Sequence, residues 1–197
     1  VFGVVSGFSS AEEILLEYLG ETQKRAPEHL AAAEVYDRSE FMPLDEDLMR
    51  NLDLFFNSRD GKKRGSLIGV LDQTVTAGGG RMMRRWLRQP LIVRAAIERR
   101  LDLVEVLFRD QQLLMALRKE LSGVYDLERL VARLSTGLAG GRDLLALKQT
   151  LGLVPVVKNL VAGALPELAE ELDPLEEIWR MLEESIAEDA PAVNSQG

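Results

Sequence analysis

The stretch SLIGVLDQTVTAGGGRMMRRWLRQPLIVRAAIERRLDLVEVLF, residues 66–108, shows the clearest helical pattern in this chain. Its second half places Ile97, Leu101, Val104 and Phe108 at spacings of four, three and four, which is the period of one helix face. The pattern predicts a long amphipathic helix, and similar periods recur through the rest of the chain. We therefore expect an all-α fold, an irregular multi-helix bundle.

Capping residues mark the ends of the neighbouring helices. Ser66 precedes a short apolar run and predicts a helix over residues 66–71. Thr76 predicts the start of a second helix through residues 81–87, and Pro90 stops it because proline has no amide hydrogen to donate.

Helical signals continue downstream. The apolar stripe runs on through residues 114–121 and ends at Gly123. Asp126 predicts the cap of a further helix that reaches Leu138.

The last third of the chain predicts two shorter helices and one long one. Pro155 separates a helix over residues 144–151 from an apolar segment at 157–161. Residues 168–186 predict a long final amphipathic helix with Pro174 as its kink point.

The N-terminal part is less regular. A capped helix is expected after Ser9 or Ser10, and residues 34–56 predict short extended pieces with a brief helix at 45–51. A polar, glycine-containing loop follows at 57–65. These features predict three parts, which are an N-terminal part with a helix at 1–33, an irregular segment at 34–65, and a helical domain at 66–197; the family resemblance described below implies that the first part is the end of a connector region and its linking helix.

Composition excludes several kinds of protein. The chain has 197 residues, of which 46% are hydrophobic, and it has no cysteine, so disulfides, thiolate metal sites and cysteine nucleophiles are excluded. No apolar run is expected to reach the ~20 residues of a membrane span. The net charge is −8, and ten acids against one base fall within residues 162–197. We therefore expect a poor electrostatic DNA binder, with weak, salt-sensitive and mismatch-blind binding at most.

Candidate chemical groups all have plainer interpretations. His29 is the single histidine and cannot build a common zinc site without cysteine. Gly78, Gly79 and Gly80 lack the following Gly-Lys-Ser/Thr of a phosphate loop and are better read as a helix start. Adjacent acids do not face each other on a helix and indicate solvated faces: Glu12 and Glu13, Glu170 and Glu171, Glu176 and Glu177, Glu183 and Glu184. No catalytic, cofactor-binding or metal-binding residue is predicted.

Residues 81–119 form a basic segment with two open interpretations. Ten bases face four acids there, so a phosphate-contacting patch is one interpretation. The favoured one is that these bases pair with nearby acids or lie at an interface. The bases are Arg81, Arg84, Arg85, Arg88, Arg94, Arg99, Arg100, Arg109, Arg118 and Lys119.

Three long motifs give the chain a family resemblance. SLIGVLDQTVTAGGGRMMRRWLRQPLIVRAAIERRLDLVEVL, EFMPLDEDLMRNLDLF and DLERLVARLSTGLAGGRDLLALKQTL resemble the core region of the MutS family of DNA mismatch-repair ATPases. The N-terminal ILLEYLGETQK resembles the family's helix that joins connector and core domains. The family usually has Met where Gly78 stands and Glu where Asp53 stands, and both changes are expected to loosen local packing.

The resemblance implies the first half of the core or lever domain, without the mismatch-reading domain or the ATPase domain. It implies a cytoplasmic, non-catalytic piece with no cofactor of its own, whose parent uses ATP and Mg and binds mismatched duplex DNA as a homodimer, away from membranes. Residues 168–186 would be an arm toward the DNA clamp. Two alternatives stay open, a free-standing helical adaptor for partner proteins and a metal-dependent helical hydrolase using the acidic end.

Overall fold

The computed structural model describes residues 38–187. The expected N-terminal helix, His29 and the last residues of the acidic end lie outside that range. After a 3-10 turn at Arg38–Glu40, the described chain contains α1 Glu46–Asn51, α2 Leu67–Leu71, α3 Ala77–Arg88, α4 Arg94–Arg109, α5 Gln111–Leu121, α6 Leu127–Ser135, α7 Gly141–Val161, α8 Pro166–Glu171 and α9 Glu176–Ser185. The all-α prediction is confirmed, and within residues 38–187 the β-structure is one isolated bridge between Phe41 and Leu91.

Side-chain caps begin four of these helices, and two of them, Thr76 and Asp126, were predicted as caps. The side-chain oxygens of Asp45, Ser66, Thr76 and Asp126 each accept a hydrogen bond from the amide three residues ahead, at 2.7, 3.2, 2.9 and 3.3 Å. Each bond satisfies an amide that the first helical turn leaves without a partner. The brief helix at 45–51 and the short helix at 66–71 are thereby confirmed.

One break was not predicted. The stripe over residues 97–121 was expected to run without interruption, yet α4 ends and α5 begins at Asp110. The Asp110 carboxylate accepts from the Leu113 amide at 2.9 Å, so this residue caps a new helix. The two helices pack against each other as a pair.

Helix α7 is the centre of the bundle and corrects the expected break at Pro155. It runs unbroken for 21 residues, with Pro155 inside it. Proline cannot donate to the Leu151 carbonyl, which costs roughly 3 kcal/mol in a helix interior. Burial offsets this cost, since α7 packs against α5, α6, α8 and α9 and buries Leu151 and Val161.

The expected long final helix is also wrong. The chain forms α8 and α9 with a break at residues 172–175, where Leu175 adopts a left-handed φ of 49°. Pro174 removes an amide donor, and Asp173 accepts from the Leu175 amide at 3.0 Å. Both helices lie against α7, so residues 168–186 do not form an arm that leaves the bundle.

The segment before α2 is fixed by backbone contacts to the start of that helix. The amides of Leu67 and Ile68 donate to the carbonyls of Asp53 and Leu54 at 2.8 and 2.9 Å. Asp53 has a φ of 49°, a left-handed conformation that aspartate tolerates, and its carboxylate accepts from the Ser58 amide at 2.7 Å. Loop 57–65 therefore leads directly into α2.

The described core is small. A cluster of buried residues joins α5, α7 and α8 through Leu117, Val161, Leu165 and Ala169, with Leu107 of α4 packed against it. Many large apolar side chains outside it remain exposed, among them Phe56, Val70, Leu101, Phe108, Met115, Leu138 and Met181. Such extensive apolar exposure is typical of a surface that another protein segment covers.

Candidate functional site

A bidentate ion pair joins α3 to α6. Arg81, in the second turn of α3, donates from its two Nη atoms to the two carboxylate oxygens of Asp126 at 3.0 and 2.7 Å. Its Nε lies 2.8 Å from a Glu128 carboxylate oxygen, an ionic contact without good hydrogen-bond alignment. Asp126 is also the cap of α6, so one carboxylate holds two helices together.

The electrostatics follow from this geometry. The Arg81 guanidinium lowers the pKa of Asp126, mainly through its hydrogen bonds to the carboxylate. The same bonds raise the pKa of Arg81. The pair therefore stays ionised at neutral pH.

A second carboxylate joins α6 to α7. Asp143 accepts from the Gly140 amide at 2.9 Å and from Arg133 Nε at 3.0 Å. The hydrogen bond from Gly140 is the main reason that the pKa of Asp143 is lowered, followed by the bond from Arg133. Asp143 thus closes the first turn of α7 and fixes α6 against it.

Polar contacts tie further segments to α7. The buried Thr150 hydroxyl accepts from the Tyr125 amide at 3.1 Å and donates to the Ala146 carbonyl at 2.9 Å. Lys148 pairs with Glu183 of α9 at 2.9 Å, and Lys158 donates to the Leu172 carbonyl at 2.8 Å. Together with the apolar packing, these contacts make α7 the element through which the helices around it are connected.

The apolar stripe of α4 faces outward. Ile97, Leu101, Val104 and Phe108 are 37%, 58%, 57% and 74% exposed, whereas Val106 and Leu107 pack toward the core. The sequence pattern correctly placed the four residues on one face. It did not show that this face lacks a partner within residues 38–187.

The ten bases of residues 81–119 divide into three groups: those paired with acids, those held by other contacts, and those without an ion pair. Arg88 belongs to the second group, since its guanidinium lies 5.2 Å from the centre of the Phe55 ring. Pairing with acids holds for Arg81, for Arg94 with Glu98 at 2.8 Å, and for Arg109 with Glu105. Arg100 lies over the Trp86 ring at 4.1 Å, and Arg118 donates to the Gln73 carbonyl at 2.8 Å. Arg84, Arg85, Arg99 and Lys119 form no ion pair within the described part of the chain.

The other candidates take structural positions. Gly78, Gly79 and Gly80 lie in the first turn of α3, and the space beside Gly79 is filled by Thr76 and Thr74. The close approach of Thr76 Oγ1, 2.9 Å from a Cβ built on Gly79, explains why a glycine suits that position. Among residues 38–187 no three His, Cys, Asp or Glu side chains come close enough to hold a metal ion.

Sequence reasoning missed the links between helices. Asp126 was predicted only as a cap, and its partner Arg81 stands 45 residues earlier in the chain. Arg133 was not singled out at all. A single sequence carries no signal for such long-range pairs, because charged residues of both signs occur throughout it.

Helix α7 is long and apolar enough to cross a membrane by length and composition, contrary to the expectation that no run would be. Its position argues for another role. It packs against four helices and buries the hydroxyl of Thr150, as the core helix of a bundle does.

Comparison with known proteins places these features in a family. The family model MutS domain III matches residues 48–197. A DNA mismatch repair protein MutS from Geobacillus kaustophilus is 46% identical over 188 residues, covering 93% of this chain and 21% of the relative. Those from an Exiguobacterium species and from Streptococcus sanguinis are both 41% identical, covering 95% and 93% of this chain and 23% and 22% of the relatives.

The chain thus spans about a fifth of the length of the curated relatives that it matches. The matched region begins in α1 and includes the whole helical framework around α7, with both carboxylate links. Since the family model covers most of the chain, the chain belongs to the MutS family of DNA mismatch-repair proteins and corresponds to its domain III.

Proposed function

We propose that this domain transmits movement between the parts of a mismatch-repair protein that hold DNA and the part that hydrolyses ATP. The observation that carries the proposal is the framework around α7, in which neighbouring helices are joined by buried packing and by oriented polar contacts. A framework of this kind moves as a unit, so a displacement at one end reaches the other.

The partners of the proposal belong to the longer protein. The curated relatives are named DNA mismatch repair proteins, and we propose mismatched duplex DNA as the parent's ligand and ATP with Mg as its cofactors. We also propose that the longer protein is a homodimer and acts in the cytoplasm. The domain itself contributes packing and connection rather than chemistry.

The exposed face of α4 supports a place within a larger protein. Its four apolar residues form one continuous stripe, and in a free-standing domain this stripe would meet water. A free-standing adaptor, the alternative, should be a clean monomer with its apolar faces covered. Light scattering together with an apolar-surface dye separates the two, because the proposed domain should bind the dye and self-associate.

A domain exchange tests the transmission role directly. The matching region of the Geobacillus kaustophilus relative is replaced by this domain, with and without Arg81→Gln. The chimera should bind mismatched duplex and hydrolyse ATP, and ATP should release the duplex. Arg81→Gln should weaken ATP-driven release several-fold while mismatch binding and basal ATP hydrolysis remain.

The control is Arg94→Gln, which also removes one arginine charge, but from a more exposed side chain whose ion pair with Glu98 lies within one helix. It should leave ATP-driven release unchanged. If Arg81→Gln and Arg94→Gln behave alike, with full coupling, the α3–α6 link is not part of the transmission path.

A further inference from the structure

Four arginines form a row on one face of α3. Arg81, Arg84, Arg85 and Arg88 are separated by three, one and three residues, which places them on one side of the helix. Together with Gln89 they line a shallow depression of about 270 Å³. We call this set the arginine row.

The two end residues of the row contact other side chains, whereas the two middle residues have no ion-pair partner within residues 38–187. Arg81 is held by Asp126 and Glu128, and the Arg88 guanidinium lies 5.2 Å from the centre of the Phe55 ring. Arg84 and Arg85 are exposed and form no ion pair within residues 38–187. Arg84, Arg85 and Arg88 therefore present positive charges that no described carboxylate neutralises in an ion pair.

An exposed aromatic ring lies beside the row. A second depression, of about 290 Å³, shares Arg88 with the first and contains Phe55 and Phe56. Phe56 is 62% exposed, an unusual position for a phenylalanine in water. Among residues 38–187 the other charged side chains lining this depression are Glu46 and Arg50, and Arg50 pairs with Asp47 at 3.2 Å.

We infer that the arginine row and Phe56 together bind single-stranded nucleic acid. The planar guanidinium groups of Arg84, Arg85 and Arg88 donate hydrogen bonds to backbone phosphate oxygens, for which the arginine fork is well shaped. The Phe56 ring supplies a face for an unpaired base. A basic surface beside an exposed aromatic ring is the combination by which proteins hold single strands without reading their sequence.

The aromatic ring distinguishes this ligand from other anions. A duplex keeps its nucleobases stacked on each other and offers none to Phe56. An acidic protein segment carries carboxylates but has no nucleobase to stack on the ring. The net charge of −8 opposes any polyanion, so the binding should be weak and steeply salt-dependent. The proposed transmission role requires no such contact, so this inference goes beyond it.

The test measures fluorescence anisotropy of a short labelled oligothymidylate with the whole 197-residue chain at several salt concentrations. The wild type should bind at low salt and prefer this strand to a duplex of equal length. The triple variant Arg84→Gln, Arg85→Gln, Arg88→Gln should bind at least tenfold more weakly. Its dependence of log affinity on log salt should be shallower by about 2, since each phosphate contact on a single strand contributes about 0.7.

Phe56→Ala separates stacking from charge. It should weaken binding several-fold without changing the salt dependence, because it removes no charge. The variant Arg84→Lys, Arg85→Lys, Arg88→Lys keeps the charges and should retain most of the salt dependence.

A matched control removes the same charge elsewhere. Arg94→Gln, Arg99→Gln, Arg109→Gln takes three exposed arginines from α4, outside both depressions. It should weaken binding far less than the α3 triple variant. Equal losses in the two triple variants, no effect of Phe56→Ala, stronger competition by polyglutamate than by the strand, or no binding at low salt would each overturn the inference.

Discussion

Arg81 and Asp126 stand 45 residues apart in the chain, yet their side chains meet in a bidentate ion pair of 3.0 and 2.7 Å. The Asp126 carboxylate also accepts from the Arg129 amide at 3.3 Å and so begins α6. One side chain therefore performs a local task and a long-range task. The two tasks are separable by substitution, because only one of them requires a negative charge.

Asp126→Asn should cost less stability than Asp126→Ala. Asparagine caps a helix nearly as well as aspartate, so Asp126→Asn loses the ion pair alone, whereas alanine loses the ion pair and the cap. In thermal unfolding followed by circular dichroism, the midpoint should be highest for the wild type, lower for Asp126→Asn and lowest for Asp126→Ala. If asparagine and alanine lower the unfolding midpoint equally, the cap contributes nothing at this site.

Lowering the pH should remove the contribution that the Asp72 carboxylate makes to the free energy of unfolding. Hydrogen bonds from Lys63 at 2.8 Å and from Thr74 lower the pKa of Asp72 from 3.8 to about 2. A lowered carboxyl pKa stabilises the folded state above the unfolded pKa, and the stabilisation is lost as pH falls through the folded pKa.

The measurement compares urea unfolding of the wild type and Asp72→Asn from neutral pH down to pH ~2. The wild type should be the more stable protein above pH ~4, and most of that difference should disappear by pH ~2. A difference that stays constant over this range would show that the Asp72 charge is not its source.

Two glycines should respond to alanine in opposite directions. A Cβ on Gly69 would lie 2.2 Å from the Lys63 carbonyl oxygen, so Gly69→Ala must move backbone and should cost roughly 1–3 kcal/mol. A Cβ on Gly78 has open space within the helix, so Gly78→Ala should stabilise by about 0.5–1 kcal/mol. Urea unfolding of both variants checks the pair, and a shift in the same direction for both would contradict it.

The exposed apolar stripe of α4 should promote dye binding and self-association while contributing little to the free energy of unfolding. Phe108→Ser should reduce dye binding and self-association while changing stability by no more than about 0.5 kcal/mol, because the ring is 74% exposed. Val161→Ala is the matched control, since Val161 is 1% exposed and its truncation should cost roughly 1–3 kcal/mol. Dye fluorescence, light scattering and urea unfolding distinguish the two variants, and a large stability loss in Phe108→Ser would place the ring in the core.

The unpredicted break at Asp110 has a local signal in the sequence, which is the capping aspartate itself. Asp110 carries the same capping chemistry as Asp45 and Asp126, yet the apolar period on both sides of it favoured one continuous helix. The side chain decided the outcome because its bond to the Leu113 amide offsets the loss of helical continuity. At this position the capping aspartate is therefore the sequence signal that marks the helix boundary, and the apolar period is not.

By itself the sequence determined the all-α class, the short helices α1 and α2, the capped starts of α3 and α6, and the family, because these depend on contacts within a few residues or on long ordered motifs. Only the tertiary structure decided that α7 continues through Pro155, that residues 168–186 split in two, and that the α4 stripe faces outward. These outcomes balance a local cost against burial on distant helices. The sequence contains both the residues that disfavour a helix locally and the apolar residues whose burial offsets that cost, but only the fold brings the latter into contact.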